Sequence, residues 1–279
     1  MAIKIVTDST CDLPRNLAEE LRVSIVPLKV LFGEEVYRDG IDLSNAEFYA
    51  KMAQHKELPT TAQVNPGEFS AEFLKHLENG DEIIGIFISA KLSGTYSSAV
   101  IAKESLAGKG SIYLVDSKSA TIGLGMLVIQ AARMAREGKS AQEIVRWLEN
   151  ARERIIFYGI INNLENLKKG GRLSSTAALA GNLLGIKPII TLQDGAVTVA
   201  GKARGQKKAY CRILEEAQSK TNLDQKMVCI AHAAAPAELL EFKQKLLEKC
   251  KPQELIEFEI GSVIGTHTGA GCIGFCCLE

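Results

Sequence analysis

The sequence predicts an α/β protein of two domains: residues 1–154 with a mostly parallel sheet flanked by helices, and residues 155–279 with a mixed sheet. Three observations carry this expectation. Short β-branched runs alternate with helical spacing as far as Arg152, the pattern of βα units and parallel strands. Beyond Ile155, Asp194-Gly195 separates two apolar runs and reads as a hairpin, so antiparallel pairs belong there. The chain has 279 residues, more than a typical single core accommodates.

Taken in order, Ile3 to Val6 is a strand, and Thr7-Asp8-Ser9-Thr10 opens a polar loop where open α/β sheets usually place ligands. Asp12 is expected to cap the next helix, with Pro14 in its first turn. Ser24 to Val30 and the turn at Gly33 suggest a strand pair, and Ser44 caps a helix through Met52. Pro59 and Pro66 bracket an extended loop, after which Pro66 starts a helix carrying Phe69, Phe73, Leu74 and Leu77. Ile83 to Ile88 is a short apolar run that reads as a strand buried on both faces. The loop after it, through Ser93-Gly94-Thr95, leads into helical spacing. Ser93 is the expected N-cap, and Gly94 permits close approach of a ligand to free backbone N–H groups. A strand from Ser111 to Val115 and helices over Ser119–Glu137 and Ala141–Arg152 complete this half.

The second half opens with a strand from Ile155 to Ile161 and a short helix stopped by Gly170-Gly171. Small residues dominate Ser174 to Gly185, and strands flank Asp194-Gly195. Lys202, Arg204, Lys207 and Lys208 form a basic cluster running into a helix through Ala217. A strand from Val228 to His232, a helix from Ala237 to Cys250 and a strand from Glu254 to Ile260 follow. His267 then lies in an expected loop of small residues before a final strand, Ile273 to Leu278.

Composition excludes several function classes. Lys+Arg and Asp+Glu each total 33, so no global field favours nucleic acid or an anionic membrane. No apolar run approaches the roughly 20 residues of a membrane span, which argues against stable membrane insertion. The N-terminus enters a strand at once, without the basic region and apolar core of a signal peptide. Seven cysteines with no C-x-x-C pair suit reduced thiols, and a cytoplasmic location is expected.

Several chemistries can be weighed from residue types. There is no Gly-x-Gly-x-x-Gly after the first strand and no P-loop lysine motif, and Gly123-Leu124-Gly125 falls in helical spacing. A zinc site from His267, Cys272, Cys276 and Cys277 lacks the short paired chelate, and a strand would point the last two thiols to opposite faces; no metal is expected. Ser93, His267 and Asp8 or Asp116 are the right residue types for a serine hydrolase acting on a lipid-like ester. Leu-Ser-Gly-Thr is not the nucleophile elbow, however. His232 reads as structural, and His55 and His76, beside lysines, read as solvated.

Along nearly its full length the chain resembles the DegV family. The residues carrying the likeness are Thr7-Asp8-Ser9-Thr10, Thr61 with Gln63, Ser89 with Ser93-Gly94-Thr95, Asp116-Ser117, Gly170-Gly171-Arg172, Lys187-Pro188 and His267-Thr268-Gly269. The resemblance implies two α/β domains with a long-chain fatty acid buried between or beneath them. It also implies a carrier without catalysis of its own, serving a separate ATP-dependent kinase subunit that forms an acyl phosphate. No cofactor is implied. Thr61, Ser93, Gly94, Thr95 and His267 match positions expected near the carboxylate. Arg172 and Arg204 match positions expected at the ligand or the partner. Ala62 and Val64 depart from the family's Thr-Ser-Gln-Pro, removing one hydroxyl, and Ala270 replaces a proline, loosening the His267 loop. The alternative to this carrier is the serine-dependent esterase.

Overall fold

The computed structural model describes residues 2–173 and 185–279. The small-residue stretch predicted from Ser174 onward therefore lies, apart from Gly185, outside the described residues. The first half runs β1 (Ile3–Asp8), α1 (Arg15–Leu21), β2 (Ser24–Val26), β3 (Lys29–Phe32), β4 (Glu35–Arg38), α2 (Asn45–Gln54) and β5 (Thr60–Ala62). It continues with α3 (Pro66–Leu77), β6 (Glu82–Phe87), α4 (Thr95–Ser105), β7 (Ile112–Asp116), α5 (Thr121–Arg136) and α6 (Ala141–Ala151). The remainder runs β8 (Ile155–Ile160), α7 (Glu165–Lys169), β9 (Ile186–Gln193), β10 (Ala196–Arg204) and α8 (Gln206–Lys220). Then come β11 (Met227–His232), α9 (Pro236–Lys249), β12 (Glu254–Glu259), α10 (Ser262–Thr268) and β13 (Ile273–Leu278).

Strands β2-β1-β6-β7 form an all-parallel sheet, and β10-β9-β8-β13-β11-β12 form a mixed sheet whose only parallel pair among the described residues is β11 with β12. The α/β class with one parallel and one mixed sheet is thus as the sequence predicted. The strand pair expected at the Gly33 turn is the β3–β4 hairpin; that β5 joins it to make a third, small antiparallel sheet, β4-β3-β5, was not foreseen. Thr61, expected in an extended loop, sits in β5 opposite Val30, because three extended residues between two prolines find a partner edge in β3. The hairpin between β9 and β10 turns on Asp194 (φ 48°) and Gly195 (φ 80°), the pair of positive φ values that a two-residue turn demands.

Helix α5 joins the two large sheets. Residues Thr121 to Ile129 are buried without interruption, which is how a helix looks when apolar neighbours surround it. Its glycines serve packing rather than phosphate binding. A Cβ at Gly125 would stand 2.7 Å from both the Cys11 carbonyl and the Phe258 ring, so the first half and β12 approach the helix there. On its outer turn, Arg133 forks onto Glu254 of β12 at 2.6 and 2.7 Å. One hydrophobic cluster accordingly runs through Val6, Ile84, Leu124, Phe157, Cys229 and Phe258, drawing on both halves. A second lies on the far face of the mixed sheet around Tyr210, Phe242 and Phe275. Cys276 belongs to the first cluster and Cys277 to the second, as strand alternation requires. No helix among the described residues is long and apolar enough to cross a membrane.

Capping shows which local expectations failed. Ser44 and Asn65 make full capping boxes at α2 and α3. Asp12 does not cap α1: it adopts a left-handed conformation (φ 48°) and accepts from the Gly261 N–H at 3.0 Å, while Pro14 takes the cap position. His76, expected in solvent, is only 8 % exposed, held between Ser24 Oγ at 3.1 Å and Glu72 at 2.9 Å. His232 is structural as predicted, its Nδ1 accepting from Ala235 N–H.

Candidate functional site

The ends of β5, β6 and β9, the loop before α4 and the short helix α10 surround a cavity of about 320 Å³. Small-molecule pockets occupy about 300–1,000 Å³. One region of its wall is polar, with Thr61, Gln63, Ser93, Gly94, Arg172 and His267. Elsewhere Ile88, Phe157, Ile190, Leu192, Val197 and Ile264 make it apolar.

Each polar residue is set by its element. His267, placed by the sequence in a loop, stands in the last turn of α10, because Ser262 to Thr268 closes helical bonds that the glycines do not prevent. Two buried carboxylates fix the start of that helix: Asp12 Oδ1 accepts from Gly261 N–H, and Asp39 Oδ1 accepts from Ser262 N–H at 3.1 Å and from its hydroxyl. Burial pushes both carboxyls above the usual range, and Asp8 beneath them is pushed up to about 6 by the same desolvation. Tyr49 of α2 donates to the Ile260 carbonyl and packs where Gly265 leaves room.

His267 Nε2 lies 3.1 Å from Thr61 Oγ1, while its buried Nδ1 has no hydrogen-bond partner. Gly170 packs against Nδ1 so closely that a Cβ there would collide with the ring. Burial, then the nearby Arg172 charge, lowers the His267 pKa to about 4, so the ring is neutral at pH 7. A neutral ring with its proton on Nε2 leaves only a lone pair on the unpartnered Nδ1. It also turns Thr61 into an acceptor whose own hydroxyl proton is available to a ligand. Arg172 donates to the Leu92 carbonyl at 3.1 Å and to the Gly170 carbonyl at 2.6 Å, tying the α4 loop to the end of α7.

The predicted cap at Ser93 is displaced by one residue. Gly94 is the N-cap of α4, without a side-chain bond, while Ser93 Oγ accepts from Thr95 N–H at 3.2 Å and sits 2.9 Å from Thr95 Oγ1. Thr95 is fully buried and supports Ser93 from behind instead of lining the cavity. Gly94 has a reason the sequence did not disclose: the Gln63 amide occupies the space of a side chain, and Gln63 Nε2 donates to Ser98 at 2.9 Å. Ser89 is likewise structural, donating to the Gly195 carbonyl at 2.7 Å and so seating the hairpin tip against the parallel sheet. Arg204 lies exposed at the end of β10, away from the cavity wall. Thr121 and Thr268 also line the wall; Thr268 falls in the His267-Thr268-Gly269 motif, while no periodicity or motif singled out Thr121.

The residues of a serine relay are present but not connected. Ser93 bonds to Thr95, His267 Nδ1 meets no carboxylate, Asp8 is engaged by Thr10 and Ile88, and Asp116 accepts from Ala90 and Lys118. Among the described residues no group of three or more His, Cys, Asp or Glu side chains could hold a metal ion.

The titration of His267 has a testable sign. The unfolded chain protonates this residue near pH 6.5 and the folded chain only near 4, so the unfolded state binds more protons between them. Its contribution to stability is present above about pH 6.5 and is lost as pH falls through that window, on the order of 3 kcal/mol in all. Asp8 acts oppositely: its folded form holds a proton up to about pH 6, so its contribution falls as pH rises from about 4 to 6. Urea unfolding of wild type and His267→Gln from pH 4 to 7 separates the two. The difference between them should shrink toward acid, and parallel curves would contradict a buried neutral imidazole.

An α/β protein with a cavity enclosed between a parallel and a mixed sheet, polar at one region and apolar over the rest, is the class these features define. The DegV family profile, described as "Uncharacterised protein, DegV family", matches residues 2–279, and the chain belongs to that family. A DegV domain-containing protein of Caldanaerobacter subterraneus is 38% identical over 274 residues, covering 98% of this chain and 97% of its own. A DegV family protein from Thermus thermophilus, described by its fatty acid binding, superposes with TM-score 0.93 at 34% identity over 100% of both chains. A stearic acid-binding protein from Eubacterium ventriosum superposes with TM-score 0.92 at 30% identity, over 100% of this chain and 98% of the other.

Proposed function

We propose that this protein binds a long-chain fatty acid in the cavity and presents its carboxylate to a separate ATP-dependent kinase, as a carrier without catalysis of its own. The observation that carries the reading is the division of one cavity into a polar region around Thr61, Ser93, Arg172 and His267 and an apolar remainder. Fatty-acid binding by relatives of matching fold supports it. Thr61 and Ser93 offer hydroxyl protons, Gly94 brings the start of α4 to the cavity wall, and Arg172 supplies the positive charge a buried carboxylate needs. Hydrogen bonds to a charged group contribute roughly 1.5–3 kcal/mol each. Each buried methylene contributes about 0.8 kcal/mol, so the tail dominates affinity and the polar groups fix its direction. Residues 1–154 and 155–279 are read as two domains closing over the ligand, in a cytoplasmic protein that needs no metal or cofactor.

In the proposed transfer, a carboxylate oxygen attacks the terminal phosphorus of ATP, and ADP leaves. The kinase would supply the nucleotide site. Lys202, Arg204, Lys207 and Lys208 are all exposed at the end of β10 and the start of α8, a basic surface suited to an acidic partner. Arg204→Glu should slow acyl-phosphate formation by about tenfold or more while fatty-acid binding is unchanged. Equal rates for variant and wild type would reject the docking role.

Mass spectrometry of an organic extract from purified protein tests the binding itself: one fatty acid per chain is expected, and an extract free of acyl chains that no added acid restores would reject it. Turnover of a chromogenic ester by the protein alone would instead favour the esterase.

A further inference from the structure

Helix α10 supplies Val263, Ile264, His267 and Thr268 to the cavity wall, yet its own sequence gives it little reason to be a helix. It has seven residues, well short of the roughly 12–15 that an isolated helix needs in water. Val263, Ile264, Gly265, Thr266 and Thr268 are β-branched or glycine, which form helices weakly. Its N-cap, Gly261, has no side chain to bond the free N–H groups. The missing cap comes from the other half of the chain. Asp39, 5 % exposed, accepts through Oδ1 from the Ser262 N–H at 3.1 Å and from the Ser262 hydroxyl, and its carboxyl also takes the Val263 N–H. Asp12 Oδ1 takes the Gly261 N–H at 3.0 Å. Glycine at 261 admits both carboxyls, since a Cβ there would stand 2.8 Å from Asp12 Oδ1 and 3.4 Å from Asp39 Oδ1. Asp39 is itself held by Ser9, whose hydroxyl donates to it while accepting from the Leu28 N–H at 3.0 Å.

Both ends of α10 therefore rest on the first half. Its start is gripped by Asp12 and Asp39, and its last turn meets that half where His267 Nε2 lies 3.1 Å from Thr61 Oγ1. Neither aspartate belongs to the cavity wall, so neither acts on a ligand except through the helix. Freeing the start of so short a helix displaces the imidazole at its end. A hydrogen bond weakens steeply as its distance and angle change, whereas burial against an apolar wall is non-directional. Displacement of α10 would accordingly damage the contacts of His267 and Thr61 with a carboxylate before those of the wall with a tail.

We infer that Asp39 is a positioning residue for carboxylate recognition: it caps α10 from the other half of the chain and so fixes where His267 meets Thr61 and the head of the ligand. The inference rests on the fatty-acid reading above.

The test uses the full-length delipidated protein, titrated with stearic acid and with its methyl ester. Asp39→Ala should lower stearic acid affinity about tenfold and ester affinity by less than about twofold. Asp39→Asn, which keeps an acceptor oxygen and is itself a good cap, should recover most of the loss. In a His267→Ala background, Asp39→Ala should change stearic acid affinity by less than about twofold, because the group it positions is gone. Should Asp39→Ala not fold, Gly261→Ala carries the same comparison, since its added Cβ would push the start of α10 off both carboxyls. Equal losses for acid and ester, losses that multiply in the double variant, or unchanged acid affinity in the folded variants would each overturn the positioning role. Binding of neither ligand by folded wild type would instead remove the fatty-acid reading beneath it.

Discussion

Replacing Val197 with tryptophan is expected to empty the protein of lipid while sparing every polar group of the cavity. Val197 sits on β10, 7 % exposed, paired with Leu192 in the hairpin, and both side chains reach the apolar wall. The added ring would occupy volume a tail needs. Excluding about five methylenes removes about 4 kcal/mol of burial, close to a thousandfold in affinity. Overfilling a packed region costs about 1–3 kcal/mol of stability, which leaves room for the variant to fold. The acyl content of the purified variant and its affinity after delipidation are the measurements. Stoichiometric lipid in a folded Val197→Trp protein would show that the tail lies elsewhere.

The second large effect concerns the head of the ligand. Thr61→Ala with Ser93→Ala removes two hydroxyl donors and leaves the apolar wall intact. With roughly 1.5–3 kcal/mol for each bond to a charged group, affinity should fall at least a hundredfold. The loss should exceed the sum of the single variants' losses if both donors hold the same carboxylate, because the pair shares one partner. A methyl ester of the same acid, which carries no charge, should lose much less. An equal loss for acid and ester would mean that the substitutions disturb the cavity rather than the recognition of charge.

Much of the fold was legible because its signals are local. The alternation of β-branched runs with helical spacing, the cap at Ser44, Pro66 at the start of α3, and the Asp194-Gly195 turn each act over a few residues. What the sequence withheld depends on contacts between distant segments. Asp12 had the look of a cap for α1, yet its partner is the N–H of Gly261 on the other side of the chain. His76 stands beside a lysine, which suggests solvent, but Ser24 and Glu72 enclose it. His267 was placed in a loop because glycine and threonine are poor helix formers, while the packing of Tyr49 and the two buried aspartates overrides that preference. Among the proposed ligand groups, Ser93, Gly94 and His267 were singled out from the residues, Thr61 and Arg172 through the family resemblance, and all five converge on one cavity. Thr95 was named and stands behind them. Thr121 went unnoticed, since its left-handed backbone conformation leaves no trace in residue order.

Helix α5, wedged between the two large sheets, has a consequence for how such chains diverge. Its inner surface is complementary to Cys11 on one flank and to Phe258 on the other, so neither half owns it. A chimera spliced near residue 154, with each portion from a different relative, would bring together surfaces selected against other partners. Restoring a good fit would require substitutions at Gly125 or Phe258 at the same time, and these two positions should change together across descendants even though well over a hundred residues of chain separate them.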